Sequence, residues 1–225
     1  MGTLFKTYLY EPLLSVLIFI YQYLSFHDLG IAIILLTILV RVVLFPIFYK
    51  GARDQSLMSR LQPHIKKIQL DHKDDKEKQA KAMLDLYKEH RLNPFSGFFL
   101  LILQLPIFIV LFQIFTKELS NSVFVSPLFL GLIDLSKTSL VLAIAAALLQ
   151  YFQGKLALPP KTNDDSNPMQ QTGRMMVVIG PVFTLLILTR LPAALGLYWA
   201  VSTLFSVGQQ VYINKKLPKP KDIHG

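Results

Sequence analysis

Between Leu29 and Ile213 this chain has five stretches in which apolar residues run on for close to 20 positions: 29–50, 94–116, 138–158, 174–190 and 194–213. A helix needs roughly 20 apolar residues to cross a hydrocarbon core, and a backbone in lipid must satisfy its own hydrogen bonds. The pattern therefore predicts an all-α membrane protein. Composition agrees, because only 16% of the residues are charged where soluble domains carry about a quarter. A sixth apolar run, Leu13 to Leu24, is shorter and flanked by Glu11, Pro12, His27 and Asp28. That length suits a helix lying in the membrane interface better than a spanning one. No small-residue cleavage site follows it, so no cleaved signal peptide is expected. The absence of cysteine excludes disulfides, thiolate metal sites and cysteine nucleophiles.

The basic residues are distributed unevenly. Of 23 Lys and Arg, 18 fall in the 50–92 segment, the 155–174 loop and the tail after Asn214. Only 4 fall in the alternate set of connections, and the last is Arg41. Cytoplasmic loops collect Lys and Arg, so the N-terminus is expected outside and the C-terminus inside. The net charge of +9 thus marks topology, and DNA is not an expected partner. The domain reading is an interfacial segment 1–28, a first span 29–50, a helical hairpin 51–93, four further spans within 94–213, and a basic tail 214–225. In the hairpin, Leu57, Leu61, Ile65 and Ile68 recur at helical spacing before the turn 71–75, and Ala80, Met83, Leu84 and Tyr87 recur after it. The pattern predicts two amphipathic helices folded together, with Pro63 kinking the first or shifting its start. Such a hairpin either merely links two spans or docks a cytoplasmic partner or anionic lipid headgroups.

Arg41 sits inside an otherwise apolar run, TILVRVVLFP, with about nine residues, or roughly 13 Å of helix, between it and the end of the first span. An arginine there costs about 2.5–3.5 kcal/mol. No Asp or Glu lies in any of the five spans. What remains is snorkelling to an interface, pairing with helix carbonyls, or a water-filled cavity open to the cytoplasm, and the last is the reading adopted. Thr37 lies one turn before Arg41, Gln104 at a similar depth in the second span, Gln150 and Gln153 in the inner half of the third, and Ser202, Thr203, Gln209 and Gln210 along the fifth. Tyr198 and Trp199 lie near the outer end of the fifth span, where an aromatic belt is the ordinary reading.

Four segments together resemble the YidC membrane-protein insertase family, which has mitochondrial and chloroplast relatives. They are TILVRVVLFP (37–46), LYKEHRLNPFSGFFLLILQLPIFIVLF (86–112), NPMQQTGRMMVVIGPVFT (167–184) and LPAALGLYWAVSTLFSVGQQ (191–210). The resemblance implies a five-transmembrane-helix insertase core with a positively charged groove open to the cytoplasm and lipid, in a bacterial inner membrane. It implies that Arg41 attracts acidic residues of a client, and that Thr37, Gln104, Gln150, Gln153, Tyr198, Trp199 and Ser202 line the groove. A client helix is expected to leave along a greasy surface formed by spans three and five. Nascent membrane proteins are the implied clients, with the ribosome, the signal recognition pathway and the Sec translocon as candidate partners. The chain is expected to lack the extra first span and large outer domain of many Gram-negative members, and its tail is expected to be too short for the long ribosome-binding extension of the mitochondrial ones. Neither a cofactor nor an enzymatic reaction is implied, and no nucleotide-binding signature is present. The alternative function is small-anion transport using Arg41, against which stands the absence of an inverted repeat.

Overall fold

The computed structural model describes residues 3–119, 124, 126–158 and 168–217. Residues 159–167 of the 155–174 loop and the tail beyond Leu217 lie outside the described residues. The described chain is helical apart from one two-stranded β-hairpin. It opens with α1 (Thr3–Phe5), a π-helical turn (Lys6–Tyr10) and α2 (Glu11–Tyr23). Pro12 has no N–H to donate one turn back and its ring crowds that carbonyl. The helix accommodates it by widening, with the Glu11 N–H reaching the Lys6 carbonyl. The combined helix Thr3–Tyr23 is longer than the expected run and is long and apolar enough to cross a membrane. Its packing is crosswise, however. At one end of α2 the Tyr10 hydroxyl donates to Glu118 Oε1 (2.7 Å), just past the last turn of α7. At the other, the Tyr21 ring meets Phe124 and His27 edge-on, beside the start of α3. Both ends thus touch the same end of the bundle.

Asp28 begins α3 (Leu29–Val43), its carboxylate accepting from the Ile31 N–H (2.9 Å). The expected first span does not continue straight to residue 50. It breaks at Leu44, and α4 (Phe45–Arg60) departs at 70°. Pro46, in the first turn of α4, cannot donate to Val42, which removes the hydrogen bond that would carry the helix through. A second break at Leu61, ahead of Pro63, starts α5 (Gln62–Asp71). Asp75 then caps α6 (Lys76–Glu89) by accepting from the Lys78 N–H, a bond that also holds its carboxyl below the usual range. The helical hairpin buries Leu57, Leu61, Ile65, Leu86 and Leu92, with Met83, Tyr87 and Leu217 against them. Leu84, expected in that stripe, is 55% exposed and Ala80 is also exposed. Leu86 takes the inward position because α6 meets α5 along Met83–Leu86–Tyr87.

The remaining helices are α7 (Ser96–Lys117), α8 (Leu140–Ala157), α9 (Pro168–Leu188) and α10 (Ala193–Lys216). Buried Asp54 of α4 accepts from the Ser96 hydroxyl (2.8 Å) and the Asn93 N–H (3.4 Å), fastening the start of α7 to α4. β1 (Leu128–Phe129) and β2 (Ile133–Asp134) pair antiparallel at the α2 end, turning through Gly131 at φ +70°. Asp28 Oδ2 accepts from the Leu130 N–H (2.6 Å), and the Lys137 and Leu135 carbonyls accept from the first N–H groups of α10. The α10 helix is the hub. It packs closely on α8 and α3 and more lightly on α4, while α9 rests on α8. The α8–α10 contact uses small residues, Ala143, Ala146 and Gly196, which let the two backbones approach. Towards the α2 end the core closes over Leu29, Leu36, Val110, Ile114 and Leu195. Towards the helical-hairpin end it does not close.

Candidate functional site

That unclosed half is a groove of about 650 Å³. Its floor is α10, which presents Tyr198, Ser202, Ser206 and Gln209 at helical spacing, with Trp199, Thr203 and Gln210 beside them. Gln150 and Gln153 come from α8, Gln55 and Ser59 from α4, Gln104 from α7 and Pro181 with Met176 from α9. Helices α7 and α9 stand on opposite flanks. Each carries a row of exposed apolar side chains, Phe98, Phe99, Ile102 and Leu105 on α7 and Val178, Ile179, Val182 and Phe183 on α9. Helix α8 carries such a row as well, Leu140, Val141, Ile144, Leu148 and Phe152. Of the pair expected to form a greasy surface, α8 thus has an exposed apolar face, while α10 is largely buried and keeps Leu204, Val211 and Tyr212 outside.

Arg41 lines the groove from the last turn of α3. The bend at Leu44 moves it from the middle of an expected helix to a helix C-terminus, where the partial negative charge of unsatisfied carbonyls favours a cation. Its Nε and Nη2 both donate to the Ser202 hydroxyl, the first at 2.9 Å, and the guanidinium carbon stands 4.5 Å from the Phe48 ring centroid. Both partners are neutral. Among the described residues no carboxylate pairs with Arg41, and with five N–H donors on a guanidinium three are left over. Partly exposed, the side chain is neither sealed in the core nor on the surface.

Seven of the eight expected residues, Arg41, Gln104, Gln150, Gln153, Tyr198, Trp199 and Ser202, come together on this groove. Thr37 does not join them. It is 2% exposed, and its hydroxyl donates back to the Ile33 carbonyl (2.6 Å), so it behaves as an internally satisfied helix threonine. Tyr198 and Trp199 are not a belt. The Tyr198 hydroxyl accepts from Gln104 Nε2 (2.5 Å), and Trp199 meets Phe108 of α7 edge-on at 5.6 Å. Together they close the α2 end of the groove.

The opposite mouth is held by Gln210 together with groups that sequence reading passes over. Gln210 Nε2 donates to Ser56 Oγ (2.7 Å) and Asn214 Oδ1 (3.2 Å), and Asn214 Nδ2 donates to the Leu156 carbonyl (2.7 Å). Arg60 reaches the Leu217 carbonyl (3.1 Å). Gln55, Ser56 and Ser59 are hidden by their place in a segment that reads as the start of the helical hairpin. Their spacing of three and four residues was the available signal.

A family model described as 60Kd inner membrane protein matches residues 6–220. The Membrane protein insertase YidC of Geotalea daltonii is 34% identical over 212 residues, covering 92% of this chain and 37% of that protein. The protein of the same name from Wolinella succinogenes is 33% identical over 219 residues, 96% of this chain and 39% of its own length. That of Anaeromyxobacter sp. is 36% identical over 191 residues, with coverages of 84% and 33%. The chain thus spans little more than a third of the length of these curated relatives. With its long apolar helices, it is a multi-pass membrane protein. It belongs to the 60Kd inner membrane protein family, and with it to the YidC family.

Proposed function

We propose that this protein inserts and folds client proteins into the bilayer by lending them a hydrated, singly charged groove. The observation that carries this is Arg41, held by a hydroxyl and a ring, with no carboxylate partner among the described residues and spare donors facing the groove. A charge meant only for structure would be expected to have an acid beside it. The names of the relatives support the same reading. Gln150 Oε1 and Gln209 Oε1 line the groove and are buried without a protein donor. Buried polar atoms find a partner in water where the protein supplies none, which supports a wet interior.

The eighteen-to-four bias of Lys and Arg orients the helical-hairpin end, and so the groove mouth, to the cytoplasm. The α2 end then faces outward, with α2 along the outer interface, as its crosswise packing suggests. In that orientation the groove carries water part of the way through the bilayer. A client's polar tail then crosses a shorter apolar barrier, and acidic residues on it gain a counter-charge. Burial of the client's own helix, at about 25 cal/mol per Å² of apolar surface, supplies the driving force. The exposed apolar flanks of α7 and α9 offer that helix a route from groove to lipid. Nascent membrane proteins are the clients on this reading. The ribosome, the signal recognition pathway and the Sec translocon would deliver them, and the Lys-rich hairpin would contact anionic lipids.

Proteoliposomes test it. Vesicles containing only this protein should protect the tail of a small single-span acidic-tailed client from added protease several-fold more than protein-free vesicles. Equal protection in both would remove the insertase reading.

A further inference from the structure

We propose that the groove reads the main chain of a client's polar tail, through its glutamines, and leaves side-chain discrimination to Arg41. This rests on the insertase reading and narrows it to a substrate class, an extended polypeptide of almost any sequence. Glutamines stand on four walls of the groove, beside hydroxyl side chains on α4 and α10, and among the described residues no carboxylate lines it. Gln104 and Gln210 are engaged with Tyr198, Ser56 and Asn214. Gln150 and Gln209 are not. Each has a buried Oε1 with no protein donor, and Gln209 is only 7% exposed. Burying an amide without a partner is unfavourable, so two such groups in one groove point to a ligand that brings donors.

An extended peptide brings them. It presents an N–H and a C=O at every residue, whatever its side chains. A primary amide is complementary to both, offering two donors and an oxygen acceptor on one planar group. A carboxylate could only accept, and an arginine or lysine could only donate. Gln153, one turn from Gln150 on α8, and Gln55 on α4 extend the same chemistry along the mouth. Among the described residues Arg41 is the one cationic side chain lining the groove, so it is the group that discriminates by charge. A sequence-tolerant carrier needs this division, because the peptide group is the one polar feature all tails share.

The test uses the full-length protein in proteoliposomes and a synthetic single-span client made in two forms. In one form the tail is all amide. In the other, three alternate N–H groups are replaced by ester oxygens through α-hydroxy acids. The readout is acceleration of insertion over protein-free vesicles, which cancels the intrinsic ease of moving an ester through lipid. Acceleration should fall by about 3- to 10-fold for the ester client, the loss of one neutral hydrogen bond or more. A Gln150→Met/Gln209→Met variant should bring the two clients together and should slow neutral-tailed and acidic-tailed amide clients by the same factor. Equal acceleration of both clients by the wild-type protein would overturn the proposal even if the variant failed to fold. A variant defect confined to one tail sequence would overturn it too. No acceleration of the amide client by the wild-type protein would remove the insertase reading, and this inference with it.

Discussion

Arg41→Ala is expected to slow insertion of acidic-tailed clients by about tenfold or more, with neutral-tailed clients changed far less. A pair of unit charges about 4 Å apart interacts by up to roughly 4 kcal/mol where the effective dielectric is near 20. Water in the groove reduces that, and each 1.4 kcal/mol retained is about tenfold. The fold should survive the substitution. The lost protein contacts are two hydrogen bonds to one hydroxyl and an approach to the Phe48 ring, and water in the groove can donate to the freed serine oxygen. Arg41→Lys should keep much of the activity. It preserves the charge that steers an acidic tail, though a lysine cannot fork onto Ser202 as the guanidinium does. Initial rates with clients differing only in tail charge, alongside melting curves, check both halves. An equal loss for neutral and acidic tails would show that the charge is not what Arg41 contributes.

Gly30→Val should damage the opposite end of the molecule. Gly30 lies in the first turn of α3, and the ring of Phe129 from the β-hairpin occupies the space a Cβ would need, overlapping its position outright. A valine there must displace that ring. The hairpin would move with it, since the Asp28 carboxylate bond to the Leu130 N–H holds it down only one residue away. Overpacking of this kind costs about 1–3 kcal/mol, which for a chain of this size lowers the melting temperature by roughly 2–10 °C. Gly208→Ala is the contrasting case. Nothing lies within 4 Å of a Cβ at Gly208, and alanine is the better helix former, so its melting temperature should hold or rise slightly. Similar melting temperatures for the two variants would mean that the Phe129–Gly30 seat does not hold the α2 end together.

Much of this site is legible before any coordinates, for a physical reason. Polar residues inside apolar runs are expensive, so Arg41, Gln104, Gln150 and Ser202 stand out against their neighbours, and all four meet at the groove. The apolar runs likewise mark the long helices, although one is bent. What escapes is direction. Pro46 was present as a breaker, yet an apolar run gives no reason to stop at Leu44 because both arms are equally greasy. With the bend unread, Gln55 and Ser59 of α4 count as hairpin surface when they form a groove wall. Thr37 shows the opposite limit. One helical turn from Arg41, it shares a face by spacing, but the hydroxyl is satisfied locally by Ile33. Periodicity places a side chain on a face without saying whether it reaches outward. Leu84 and Leu86 differ for the same reason, because the stripe on α6 is fixed by where α5 packs.

The central claim is that water reaches the level of Arg41 from one side of the membrane only. Because the chain contains no cysteine, a single Gln104→Cys thiol, placed where Gln104 meets Tyr198, can report it with a membrane-impermeant maleimide added to sealed vesicles of known orientation. Reaction from the helical-hairpin side, and none from the α2 side, is the expected result. A thiol silent from both sides would mean a dry interior, and one reactive from both sides would mean a pore; either contradicts the groove described here.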